Sequence, residues 1–172
     1  MSQHLQTAWS GDRITLHRGD ELVDSVGSNE ILRVIFVYRD QGQNPGDMNY
    51  AVVELANEHL IFPATTGFSG RVLFERQAFW EQHACVYWVS EQHVALPGRL
   101  RGGRWFLRRQ PPAYARLPRA ELDPLLERWP LQGPQTWEQR KWERIQRSRP
   151  FADINIHPAG SNAPPEARKR RA

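Results

Sequence analysis

The stretch EILRVIFVYRD at residues 30–40 constrains the fold more than any other. From Ile31 to Tyr38 it is apolar at both odd and even positions, Arg33 apart, and rich in β-branched side chains. A strand with one face in water alternates apolar and polar residues; a strand apolar on both faces sits at the centre of a sheet. The run is too short to cross a bilayer and Arg33 interrupts it, so no membrane span is expected.

The neighbouring segments supply partners for such a strand. DRITLHRG (12–19) sets Ile14 and Leu16 against polar neighbours, as a half-buried strand does, and ELVDSV (21–26) is a weaker candidate. QGQNPGD (41–47) gathers Gly42, Asn44, Pro45 and Gly46 into a turn cluster. NYAVVEL and HLIF then flank the short turn Ala56-Asn57-Glu58, which predicts a hairpin. ACVYWV (84–89) and HVALP (93–97) also read as strands. Ahead of ACVYWV, RVLFERQAFWEQH (71–83) places Val72, Leu73, Phe79 and Trp80 on one helical face behind a Ser69 cap, although RVLFE also fits a strand.

After residue 98 the style changes. RLRGGRWFLRRQPP (99–112) holds a short strand between glycine and proline punctuation. In LPRAELDPLLERWP, Leu122, Leu125, Leu126 and Trp129 recur at helical spacing, and the position of Pro124 predicts a helix that starts at an Asp123 cap. A second helix is expected after Thr136, which forms a capping box with Gln139, and Pro150 ends it near Arg149. Beyond about Ile156 the sequence has too few apolar side chains to offset the entropy of ordering. The fold class expected is therefore α+β: a mainly antiparallel sheet with one packed helix, then a basic C-terminal region with two short helices and a disordered tail. Three parts follow, an acidic β-rich core at 10–98, a basic Trp/Arg-rich helical extension at 99–151 packed on or beside it, and the tail at 152–172.

Charge separates front from back. The net charge is +4, yet residues 1–98 hold six arginines and no lysine against twelve acidic side chains. Residues 99–172 hold 17 basic side chains against seven acidic ones. Such asymmetry suggests two regions with different tasks. Lysine is almost absent from the whole chain, so arginine abundance alone is weak support for phosphate binding; its distribution carries more weight.

Chemical motifs are sparse. Cys85 is the single cysteine, which excludes an internal disulfide and a cysteine zinc finger, and it lies in a segment that reads as core. His83, Cys85 and His93 lack metal-ligand spacing, so no metal is expected. ATTGFSGR (64–71) lacks the lysine and the glycine spacing of a P-loop, and no G-x-G-x-x-G occurs, so no cofactor is expected. Nothing pairs two acidic residues as general acid and base. The N-terminus has no secretory signal, and the expected location is cytoplasmic.

The segment GPQTWEQRKWERIQRSRPF (133–151) is the strongest functional signal. On a helix, Arg140, Arg144 and Arg147 align as a basic stripe, Trp142 and Ile145 lie on another side, and Trp137 sits between. Trp142 is expected to anchor the helix in the core while Trp137 and the arginines face a partner, since tryptophan and arginine dominate interface centres. The function expected is a non-enzymatic binding or adaptor protein that engages an acidic macromolecule through Trp137, Arg140, Arg144 and Arg147, supported by Arg104, Arg108 and Arg109. An acidic protein is the first expectation for the partner and nucleic acid the second, because the acidic front half would repel a long duplex. An enzyme with an unrecognised site is the third class. Oligomeric state is not legible.

Overall fold

The computed structural model describes residues 4–39, 47–68, 86–100, 104–105, 108–109, 112–135, 139, 142, 145 and 146. Its strands are β1 (Leu5–Ser10), β2 (Arg13–Arg18), β3 (Glu21–Gly27), β4 (Arg33–Tyr38), β5 (Met48–Glu54), β6 (Glu58–Pro63), β7 (Val86–Ser90), β8 (Arg104–Trp105), β9 (Arg108–Arg109), β10 (Ala115–Pro118) and β11 (Gln132–Gln135). Helix α1 spans Arg119–Leu126. Strands β1-β2-β3 form one sheet, β10-β6-β5-β4-β7-β11 a six-stranded second, and β8-β9 a short ladder. The described pairings are antiparallel except that of β4 with β7, which is parallel.

The two-faced apolar pattern of β4 explains the layering. Val34, Phe36 and Tyr38 enter one core cluster, and Ile35 and Val37 enter the other. The three-stranded sheet covers the first face with Ile14, Leu16 and Val26. Leu122, Leu126 and Trp129, from α1 and the turn after it, cover the second, together with Leu96. Because side chains in a strand alternate, residues of β5 and β6 divide the same way: Ala51, Val53, Leu60 and Phe62 to one side, Tyr50, Val52 and Ile61 to the other. The strand-rich core with its helix is therefore three layers deep.

The three-stranded sheet owes its compactness to two tight turns. Gly11 and Gly19 each adopt φ 61°, the left-handed geometry that a two-residue hairpin turn needs at its first central position. Each is followed by aspartate, Asp12 or Asp20, a residue common in turns. Strand β1 pairs along its whole length with β2 and lies ahead of residue 10, where the core was expected to start. The Thr7 hydroxyl donates to the Thr66 carbonyl at 2.9 Å, tying β1 to the end of the larger sheet.

Both stretches of the chain build the larger sheet, since β10 and β11 follow residue 98 and occupy its two edges. This arrangement corrects two expectations. The segment at 93–97 is not a strand: a 3-10 turn at Glu91–His93 leads into irregular backbone. The place beside β7 is already taken by β11, and Pro97 has no N–H to donate. Leu96 nevertheless buries its side chain under α1.

The second correction concerns α1, which begins at Arg119 rather than after Asp123, with Pro124 inside it. The missing N–H of Pro124 leaves the Ala120 carbonyl without its helical donor, and Ala120 is exposed, so water can serve. Asp123, released from capping, points its carboxylate sideways. The apolar stripe is as expected, with Leu122, Leu126 and Trp129 buried and Leu125 half-buried. Leu122→Ala should thus destabilise by about 3 kcal/mol and Leu125→Ala by clearly less, as measured by denaturant unfolding. Equal losses would mean that the helix is docked on a different face.

The expected helix at 70–83, His83 and Cys85 lie outside the described residues, as does most of the turn at 41–47. The Arg39 N–H donates to the Asp47 carbonyl at 3.0 Å across the base of that turn. The tail beyond residue 151 also lies outside them.

Candidate binding surface

The alternation of β10 decides what two arginines of the back half do. Leu117 faces α1, so Arg116 points to the opposite side, towards the three-stranded sheet. There its guanidinium grips Asp24 of β3 through both oxygens, Nε to Oδ2 at 2.7 Å and an Nη to Oδ1 at 2.8 Å. It also donates to Glu58 of β6, and the Tyr114 hydroxyl donates to Asp24. Burial pushes the Asp24 carboxyl up, but hydrogen bonds from Arg116, Tyr114 and the Ser25 N–H outweigh it and hold the group below its ordinary value of 3.8. The Tyr114 hydroxyl is raised, by burial first and then by its bond to the Asp24 carboxylate.

On the other face, Arg119 at the start of α1 plays the matching part. It donates to Glu54 Oε1 and to Asp123 Oδ2, each at 2.9 Å, and reaches the Leu55 and Ala56 carbonyls of the β5–β6 turn at 3.4 and 3.5 Å. Glu54 also receives Arg33 of β4, whose guanidinium lies 5.7 Å from the centre of the Tyr87 ring. His59 of β6 is fully buried, with Nε2 2.7 Å from Asp123 Oδ1, while Nδ1 has no hydrogen-bond partner. Burial raises the Asp123 carboxyl, but Arg119 and His59 bring it below 3.8.

These contacts give a pH dependence of definite sign. Asp24 and Asp123 are lower in the fold than in the unfolded chain, so their stabilisation is complete above about pH 4 and is lost as pH falls through the depressed folded values. Asp24→Asn should lower stability at neutral pH and flatten its decline in acid, seen by urea unfolding at a series of pH values. An unchanged acid limb would remove Asp24 from the account.

The charge asymmetry is in this way partly an internal matter. Arg116 and Arg119 from the back half neutralise Asp24, Glu58 and Glu54 from the front half. Arg99 pairs with Glu121 on the surface. None of these residues stands out in the sequence. The spacing of Arg119 and Asp123 at i and i+4 is the one readable signal; the others become neighbours only through strand pairing and the packing of the layers.

The residues singled out in the sequence fall differently. Arg104, Arg108 and Arg109 lie in the β8–β9 ladder, where Arg104 is opposite Arg109 and Trp105 opposite Arg108. Trp137, Arg140, Arg144 and Arg147 lie outside the described residues. Within the same segment, Gln139, Trp142, Ile145 and Gln146 have helical backbone. Trp142 is 45% exposed, which overturns the expectation of a buried anchor. Ile145, its expected companion on that side, is half-buried. Trp142→Ala should therefore cost clearly less than truncation of an enclosed tryptophan, about 1 kcal/mol.

Among the described residues, no helix is long and apolar enough to cross a membrane. No protein-family model, curated protein or solved structure matches the chain.

Proposed function

We propose that the chain is a non-enzymatic binding protein of the cytoplasm that engages an acidic macromolecular partner through its basic C-terminal half. Trp137, Arg140, Arg144 and Arg147 are assigned to the contact, with Arg104, Arg108 and Arg109 in support. The observation that carries the reading is the exposure of Trp142 in the middle of a stretch rich in arginine. An exposed tryptophan contributes little to the fold but offers a large, rigid contact area to a partner. The register of β8 and β9 adds to this. It sets Arg104 opposite Arg109, which gathers two of the three supporting arginines at one register position.

The test uses full-length protein with Arg140, Arg144 and Arg147 changed to Gln. Exposed arginines contribute only tenths of a kcal/mol to folding, so the thermal midpoint should hold. Retention on immobilised poly-L-glutamate and on immobilised oligonucleotide should fall for every polyanion that holds the unmodified chain. Unchanged retention on all of them would remove the stripe from the binding surface.

A further inference from the structure

We infer that Arg33 is a receptor for a single peptide carboxylate, at a site separate from the basic C-terminal half and beyond the function proposed above. Arg33, Arg116 and Arg119 each bind acids of the fold, but they do so to different extents. Arg116 engages Asp24 and Glu58 through Nε and both Nη groups. Arg119 likewise uses Nε and both Nη groups, on Asp123, Glu54 and the Leu55 and Ala56 carbonyls. Arg33 uses only Nε, which donates to Glu54. Among the described residues nothing accepts from its Nη groups, and its side chain is 30% exposed.

The orientation of this half-used guanidinium is fixed. Glu54 is 8% exposed and is held at its other oxygen by Arg119, so the carboxylate that receives Nε is itself anchored. The guanidinium carbon lies 5.7 Å from the centre of the Tyr87 ring, and that ring packs against the second core cluster. Strand pairing brings the three together: Arg33 stands opposite Glu54, and Tyr87 opposite Ile35, two residues further along the same face of β4. A guanidinium clamped at Nε and backed by an aromatic face offers its Nη fork with little further loss of side-chain freedom, which favours a bidentate contact.

The charge around the fork selects the ligand. Arg33 and Arg119 stand against Glu54 and Asp123, so the charges of these four cancel and leave no excess to draw in a polyanion. A doubly charged phosphate would meet the Glu54 carboxylate behind the fork. A carboxylate carries one charge, and its two coplanar oxygens match the fork. Either an acidic side chain or a chain terminus of a peptide presents that group.

The experiment follows the Arg33 Nε–H and Tyr87 ring resonances of full-length protein by NMR as three probes are added separately. Acetyl-Leu-Glu-amide carries only a side-chain carboxylate, acetyl-Gly-Leu only a terminal one, and inorganic phosphate neither. At least one peptide should shift both resonances and saturate with a dissociation constant on the order of 1 mM, as two charge-assisted hydrogen bonds at a partly exposed site allow. The tighter peptide identifies the source of the carboxylate, and an equal concentration of phosphate should not displace it. Arg33→Lys keeps a cation for Glu54 but lacks the fork, so the thermal midpoint should hold while affinity falls by about fivefold or more. Tyr87→Leu keeps apolar packing without the aromatic face and should weaken binding by about threefold. No saturable shift with either peptide, or tighter binding of phosphate, would overturn the inference. So would an Arg33→Lys variant that binds like the unmodified chain; should that variant melt early, unchanged affinity in Tyr87→Leu would overturn it instead. Changing Arg140, Arg144 and Arg147 to Gln should leave peptide binding intact, and a loss there would move the carboxylate to the C-terminal half and refute the Arg33 site.

Discussion

Trp88→Ala should cost about 3–5 kcal/mol of folding stability, in the upper range for truncation of a core side chain. Trp88 is fully enclosed on β7, on the face covered by the three-stranded sheet, with its ring 6.1 Å from that of Phe36. Its indole N–H donates to the Tyr38 hydroxyl at 3.2 Å, so truncation leaves both a cavity and a buried hydroxyl short of one partner. The site is also the parallel junction of β4 and β7, where Trp88 lies in register with Phe36. The contrast with Trp142→Ala is the informative part. Chemical denaturation should separate the two variants by several kcal/mol; similar values would contradict the assignment of one tryptophan to the core and the other to the surface.

The second large effect comes from stripping Glu54 of its cations. Its side chain is 8% exposed and is held between Arg33 and Arg119, which each reach partly into solvent. Removing the carboxylate would leave two arginines able to hydrate. Removing the arginines would leave a charge buried without compensation, which is the costlier fault. The double change of Arg33 and Arg119 to Met should thus destabilise by about 3 kcal/mol or more, attributable to the stranded Glu54. Adding Glu54→Met should restore most of the loss, because an apolar triad of similar volume avoids the desolvation altogether. A triple variant as unstable as the double would show that Arg119 acts chiefly through Asp123 and the carbonyls of the β5–β6 turn.

How much of this was legible follows from which signals are local. The apolar run of β4 announced a central strand because period-2 burial on both faces leaves no polar positions. The Leu122, Leu126 and Trp129 stripe was equally plain, since helical spacing needs no knowledge of the partner layer. The start of α1 was not, because the rule that places proline in the first turn competes with burial of Leu122, and burial prevailed. Strand β1 is hard to read although Leu5, Thr7 and Trp9 alternate inward, because a polar threonine between two half-buried apolar residues makes a faint pattern. Trp142 was misplaced because amphipathicity says which residues share a face and not which way that face turns.

Charge was the least legible property. Counting residues revealed an acidic front and a basic back but not that the two halves neutralise each other across the layers. In the sequence, Arg116 and Arg119 look no different from Arg104, Arg108 and Arg109. Strand alternation in β10 turns Arg116 to Asp24 and Glu58, the start of α1 brings Arg119 to Glu54, and the others fall in a ladder of their own. Arg116 and Arg119 accordingly hold the fold together, and Arg104, Arg108 and Arg109 are the ones proposed to hold a partner.

That division is the central claim, and one paired measurement addresses it: thermal midpoint and affinity for an immobilised oligonucleotide, taken on two full-length variants. Arg116→Gln abandons Asp24 and Glu58, so its midpoint should drop by several degrees while affinity stays within about twofold of the unmodified chain. The triple change of Arg104, Arg108 and Arg109 to Gln should keep its midpoint and lose affinity by tenfold or more at low salt. If Arg116→Gln weakened binding as much as the triple variant, or if the triple variant melted as early as Arg116→Gln, the arginines would not divide in this way.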